Sequence, residues 1–344
     1  MKRKFLPAVF LMLAPLFSVA QADIHFSQFY ETTILRNPAL TGVFAGNYKV
    51  GVYYRTQWSS VTNPYETVLF NAEYRISLSR FSDDFLSFGI LGYSDRAGEI
   101  DQRINAFYPA LNYNKSLNPD NNSYLSFGFV GGYLQYSFDP SKATFNNQFQ
   151  NGAFDPNSPT FESFPNPKRN VVDMGVGVNY NLSPGKSNEA TYVIGVSCYH
   201  FNAPAFTYYS GRDYKENTRI NINGAMAHDI NENYEVQLHA NFSLQGTYNE
   251  FIGGALVGWR SLDPYEEPRL AMYAGLMYRY NDAIIPVVKL KYKSMSLGLS
   301  YDINVSTLKN ASNMQGGYEL TLSSSAFFPK NKRDYKKTVC PRFS

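Results

Sequence analysis

After its first 22 residues the chain contains no run of 18 or more apolar residues, which excludes a transmembrane helix from everything that follows them. Cysteine is nearly absent. Cys198 and Cys340 fall far short of a disulfide framework for 344 residues, and both are expected as free thiols. Histidine is scarce, with only His25, His200, His228 and His239. The chain also lacks C-x-x-C, H-E-x-x-H, a P-loop, a G-x-S-x-G elbow and a dinucleotide fingerprint, so the metal, nucleotide and hydrolase chemistries that travel with those motifs are not indicated. No enzymatic activity, cofactor or metal is expected. Charged residues reach only 17% and the net charge is +3, too little to point to a nucleic-acid partner.

Aromatic residues, at 16%, are plentiful. At the start, Lys2, Arg3 and Lys4 precede an apolar run from Phe5 to Phe17 and then small residues, the pattern of a secretory signal peptide over residues 1–22, cleaved after Ala20 or Ala22. At the other end, residues 328–344 form a basic tail, expected to be periplasmic.

Between them one period recurs. In "YEVQLHANFSLQ", Val236, Leu238, Ala240, Phe242 and Leu244 alternate with Glu235, Gln237, His239, Asn241, Ser243 and Gln245. The same alternation predicts strands at 48–58, 65–78, 85–94, 102–115, 123–137, 171–182, 190–200, 219–229, 234–245, 251–261, 270–281, 284–293, 296–305 and 317–327. An even number of long strands, greasy on one face and wet on the other, predicts an all-β transmembrane outer-membrane β-barrel of about 14 antiparallel strands over residues 48–327. A soluble sandwich would use shorter strands. Tyrosines at 48, 65, 124, 180, 192, 234, 280, 292 and 318 sit near strand ends, as an interfacial girdle requires. The longest connections, 138–170 and 201–218, follow odd-numbered strands, which puts them outside and both barrel termini in the periplasm. Pro109 cannot donate to a ladder and suggests a bulge or kink in the fourth strand.

On the wet face of the first two strands, Arg55 and Gln57 face Asn71, Glu73 and Arg75, charges that rigidify the interior or bind a partner. His239 reads as a solvated lumenal histidine, and Lys289, Lys291 and Lys293 as one wall of a passage. The loop after the fifth strand carries Phe145, Phe149, Phe154, Phe161 and Phe164, which either pack on the rim or meet a protein partner.

The stretch "DIHFSQFYETTILRNPALTG" over residues 23–42, followed by "YKVGVYYRTQW" and ending far downstream in "CPRF", resembles the PorP/SprF family. That resemblance implies a non-enzymatic outer-membrane component of the type IX secretion and gliding system of Bacteroidota. Such a protein would help secrete or anchor a surface adhesin through the adhesin's C-terminal sorting domain, and would touch periplasmic ring lipoproteins and membrane lipid. An outer-membrane channel for small solutes is the alternative. Residues 23–47 read as a periplasmic family segment with bulky residues at Phe26, Gln28 and Tyr30 beside His25, and a turn at Asn37 and Pro38. It either folds into the lower lumen, where Arg55 and Glu73 bind its polar groups, or stays outside as a docking epitope.

Overall fold

The computed structural model describes residues 23–60, 63–78, 83–118, 123–150, 152–184, 189–208, 214–261 and 270–328. Residues 1–22, read above as a signal peptide, and residues 329–344, the rest of the basic tail with its CPRF end and Cys340, lie outside the described residues; Cys198 is a free thiol.

Fourteen strands close into one antiparallel barrel. They are β1 (Tyr48–Gln57), β2 (Tyr65–Ser77), β3 (Phe85–Ala97), β4 (Gln102–Asn118), β5 (Ser123–Ser137), β6 (Lys168–Leu182) and β7 (Ala190–Tyr199). The second half is β8 (Arg219–Asp229), β9 (Tyr234–Gln245), β10 (Tyr248–Arg260), β11 (Leu270–Arg279), β12 (Ala283–Tyr292), β13 (Met295–Asn304) and β14 (Gln315–Ala326). Each strand pairs with its sequence neighbours, and β14 returns to β1 in a ladder from Tyr48↔Ala326 to Gln57↔Gly317. Closure leaves no edge in the barrel, so backbone groups are satisfied within the wall.

The alternation drives the sidedness. Val50, Val52, Val68, Phe70, Val172, Val176, Leu297 and Leu299 are exposed on the outer face, while Lys49, Arg55, Asn71, Glu73, Asp173, Asn221 and Glu319 are buried inside. A closed barrel with an apolar outside and a polar inside is built for a bilayer. Tyr192, Tyr234, Tyr280, Tyr292 and Tyr318 are exposed as a girdle requires, but Tyr124 is not. It lies in the inward phase of β5 and packs edge-on against Phe85, with ring centroids 5.5 Å apart.

Observed strands match the alternating runs to within a few residues, with four strands the sequence periodicity cut short by three: β3 runs to Ala97, β4 runs to Asn118, β6 begins at Lys168 and β10 at Tyr248. Pro109 produces no bulge. The β4–β5 register is unchanged from Phe107↔Tyr133 to Ala110↔Val130, because a lost donor interrupts a ladder without requiring an extra residue; the irregularity falls at Ser116/Asn118 instead. The loop after β5 contains a small hairpin, Phe149–Gln150 with Ala153–Phe154, and the loop after β7 another, Ala205–Phe206 with Tyr214–Lys215.

Candidate functional site

The lumen is filled by residues 23–47, which run its whole length. The backbone N–H of Asp23 donates to Gln245 Oε1 at 3.2 Å, at the end of the barrel that carries the long loops. Asn47 leaves at the opposite end, its N–H donating to the Ala326 carbonyl at 2.8 Å. Of the two sequence-based alternatives the structure has the lumenal one, with Arg55 and Glu73 on the segment's polar groups, but the position is not confined to the lower lumen: the segment reaches the far mouth. It does so because the barrel wall offers partners along the full path.

Locally the segment has little structure of its own. A single helical turn, Thr33–Arg36, is followed by a 3-10 turn, Pro38–Leu40. Asn37 separates them in an extended conformation, its side chain accepting from the Ala39 N–H at 2.9 Å as an N-cap, with Pro38 at the first position where no donor is needed. Gly42, at φ +78°, turns the chain where a Cβ would run into the Ser87 side chain.

Three polar clusters hold it. Nearest the long loops, His200 stands between Asp23 Oδ2 at 2.6 Å and Asp173 Oδ1 at 2.8 Å, and Arg219 Nη1 lies 3.3 Å from Asp23. Tyr108 donates to the other Asp173 oxygen at 2.8 Å. Burial alone would lower the His200 pKa, but the Asp23 and Asp173 carboxylates outweigh it and push His200 up to about 10. Burial likewise works against the Asp23 charge, yet His200 and Arg219 hold its carboxyl well below the usual carboxylate range. In the adjoining loop, burial and the Asp23 charge push Glu216 up to about 7.

The second cluster straddles the seam where the barrel closes. Arg55 of β1 faces Glu319 of β14 in register, with Nη1 2.5 Å from Oε1. The two Glu319 oxygens accept the backbone N–H groups of Ser27 and Gln28 at 2.5 and 2.8 Å. Asp302 accepts from Ser27 Oγ at 2.6 Å and pairs with Arg55 and Arg279 at 3.3 and 3.1 Å. His25 bridges Arg55, at 3.1 Å, to Glu250, at 3.6 Å.

The third cluster lies deeper. Glu31 pairs with Lys289 at 2.6 Å and Lys49 at 3.5 Å, all three buried. Glu73 accepts from Thr33 Oγ1 and the Gly42 N–H, each at 2.8 Å. Asn37 Nδ2 donates to Asn223 Oδ1 at 2.9 Å, while Asn112 donates to the Ala39 and Thr41 carbonyls at 2.9 and 2.7 Å.

Apolar contacts complete the fit. Phe26 and Ile34 join Tyr53, Leu69, Leu91 and Val130 in one cluster; Phe29 and Tyr30 join Ile252, Leu256, Met277 and Ile285 in another. His239 is not solvated: Tyr30 stacks on it at 4.6 Å. Lys289 is no open channel wall either, because Glu31 has claimed it. Among the described residues, the cavities beside Asp23 measure about 20 and 10 Å³, room for isolated waters rather than a solute.

Of the residues singled out in the sequence, His25, Phe26, Gln28, Tyr30, Asn37, Pro38, Arg55 and Glu73 converge in the lumen. Arg75 is buried near the short-turn end with its guanidinium 3.5 Å from the Phe85 ring centroid. Gln57 stands apart, a half-buried residue paired through its backbone with Gly317 and Tyr65. The loop phenylalanines divide. Phe145 and Phe164 pack together at 6.1 Å, and Phe164 meets Phe138 at 5.2 Å, whereas Phe149, Phe154 and Phe161 stay exposed. The sequence reading missed Asp23, Glu31, Lys49, Arg279, Asp302 and Glu319 as anchors. Their signal is a charge in the inward phase of a strand or in the family segment, but the partners lie up to 292 residues away and periodicity cannot pair them.

The sequence profile described as "Type IX secretion system membrane protein PorP/SprF" matches residues 18–324. A crystal structure of a Pseudomonas aeruginosa FadL homologue is similar in fold, with a TM-score of 0.51 at 11% identity over 83% of this chain and 91% of that one. A TodX monoaromatic hydrocarbon channel mutant lacking S2 and S3 follows with a TM-score of 0.49, 10% identity, and coverage of 86% and 94%. No curated protein sequence matches. The closed barrel with its apolar exterior, together with the match to a secretion-system membrane family, puts the protein in the outer membrane. The profile spans nearly all of the described strands and the lumenal segment, and the chain belongs to the PorP/SprF family of type IX secretion system membrane proteins.

Proposed function

We propose that this protein is a non-enzymatic accessory that holds or helps deliver a secreted surface adhesin, engaging the adhesin's C-terminal sorting domain at the long-loop end. By the parity of loop lengths that end faces the cell surface, and the short-turn end faces periplasmic ring lipoproteins. The observation that supports this most is the loop after β5. Its Phe145 and Phe164 are packed, yet Phe149 and Phe154 project side by side from a paired hairpin and Phe161 is 88% exposed, beside a lumen that is already filled. Exposed aromatics on an ordered rim suit a protein interface, where such side chains act as anchors. The alternative, a channel for small solutes, would need the lumenal segment to be out of the way.

A triple variant, Phe149→Ser, Phe154→Ser and Phe161→Ser, should leave barrel stability unchanged while a partner adhesin no longer copurifies, since truncating an aromatic anchor costs about 2 kcal/mol or more of binding. Surface display of adhesins in a strain carrying only this variant reads the same outcome in cells. Normal display of every adhesin, and undiminished copurification, would sink the proposal.

A further inference from the structure

The segment's contacts are those of a bound peptide rather than of a folded core element. Five of its carbonyls are recognised by wall side chains: Tyr53 donates to Glu31 at 3.3 Å, Tyr199 to Ile34, Ser197 and Asn221 to Arg36 at 2.8 and 3.0 Å, and Asn112 to Ala39 and Thr41 as described. Three of its N–H groups are taken by Glu319 and Glu73. Main-chain hydrogen bonds that hold a peptide while side-chain pockets set specificity are the general logic of peptide recognition.

The wall is also carved to the segment's outline. A Cβ on Gly128 would lie 2.2 Å from the Ala39 nitrogen, one on Gly177 2.0 Å from Asn37 Oδ1, and one on Gly298 2.4 Å from Gln28 Oε1. These glycines weaken their strands, and close backbone approach is what such positions provide. The fit has separate pockets: Glu319 for the Ser27–Gln28 amides, Ile252, Leu256 and Met277 for Phe29 and Tyr30, the Lys49–Lys289 pair for an acid, and Asn223 for Asn37. Only the turn at residues 43–47 ties this ligand covalently to β1.

We propose that the lumen is a binding site for a folded-back peptide, normally occupied in cis by residues 23–46, and that it recognises the pattern of two aromatics, an acid and an Asn-Pro turn when the peptide is supplied in trans. The ligand class is a peptide of this chain's own segment type. This does not depend on the adhesin reading, because it concerns the lumen and not the rim.

The test starts from the full chain with a protease site inserted after Ala45, so that the barrel folds with its segment in place. After cleavage, the severed segment should stay with the barrel through gel filtration, be released by moderate chaotrope, and be replaced by a fluorescent synthetic peptide of residues 23–46 at one per barrel. The same peptide carrying Glu31→Lys, which sets a third cation against Lys49 and Lys289, should bind at least about a hundredfold more weakly. A scrambled peptide should not bind. Because the barrel is identical in every arm, folding failure of a variant cannot mimic the result. The proposal is overturned if the segment leaves only when the barrel unfolds, if the released barrel takes up no peptide, or if the scrambled and Glu31→Lys peptides bind as well as the native one.

Discussion

At the scale of single residues, buried charge dominates. Glu31 holds Lys289 at 2.6 Å and Lys49 at 3.5 Å, and all three side chains are nearly excluded from solvent. Removing one member of such a set strands the others as uncompensated buried charges. Glu31→Gln should therefore destabilise the folded protein by about 3–5 kcal/mol, read from denaturant unfolding in detergent, whereas breaking the rim contact Arg103–Asp101 with Arg103→Gln should cost far less. Equal costs for the two would mean that the Glu31 cluster is wetter than its geometry indicates. At this scale the sequence was only partly legible. The phase of β1 and β2 correctly turned Arg55 and Glu73 inward, but Arg55 is matched by Glu319 and Asp302 near the far end of the chain, and only barrel closure brings them together. The doubled apolar residues Val68–Leu69, Ile90–Leu91, Leu256–Val257 and Ile284–Ile285 were the overlooked sign. In each, one residue faces lipid and the other faces inward, which a water-filled lumen would not reward.

At the scale of elements, the lumenal segment is tied at its start by the Asp23–His200–Asp173 clasp, supported by Arg219. His200 is raised from 6.5 to about 10, so its contribution is complete below about pH 6.5 and is lost as the pH rises through about 10. Asp23 is depressed from 3.8, so its contribution holds above about pH 3.8 and disappears as the solution becomes more acidic. Hydrogen-exchange protection factors for residues 23–28, corrected for the intrinsic pH dependence of exchange, should accordingly be highest between about pH 3.8 and 6.5 and fall on both sides, while those within β1 and β14 stay high. Flat protection of residues 23–28 through pH 10 would show that the clasp contributes nothing. The strands themselves were legible almost residue by residue, because lipid on one side and polar groups on the other impose a period of two. The segment was not, since its conformation is dictated by the wall and it has no period to read. Only its family resemblance and the Asn37–Pro38 turn marked it out.

At the scale of the whole molecule, fourteen strands would enclose a passage, yet this lumen holds a packed peptide with cavities of only about 20 and 10 Å³ beside Asp23. The seam between β1 and β14 is locked by the same Arg55–Glu319 pair that grips Ser27 and Gln28, so barrel closure and segment binding reinforce each other. While the segment is in place the barrel presents only its ends to a partner, and the exposed phenylalanines of the loop after β5 lie at one of them. The most direct measurement is planar-bilayer recording of the intact purified protein, with insertion verified by a fluorophore on the loop after β5. The sealed lumen predicts silent insertions; steady, solute-selective conductance from the intact chain would contradict it.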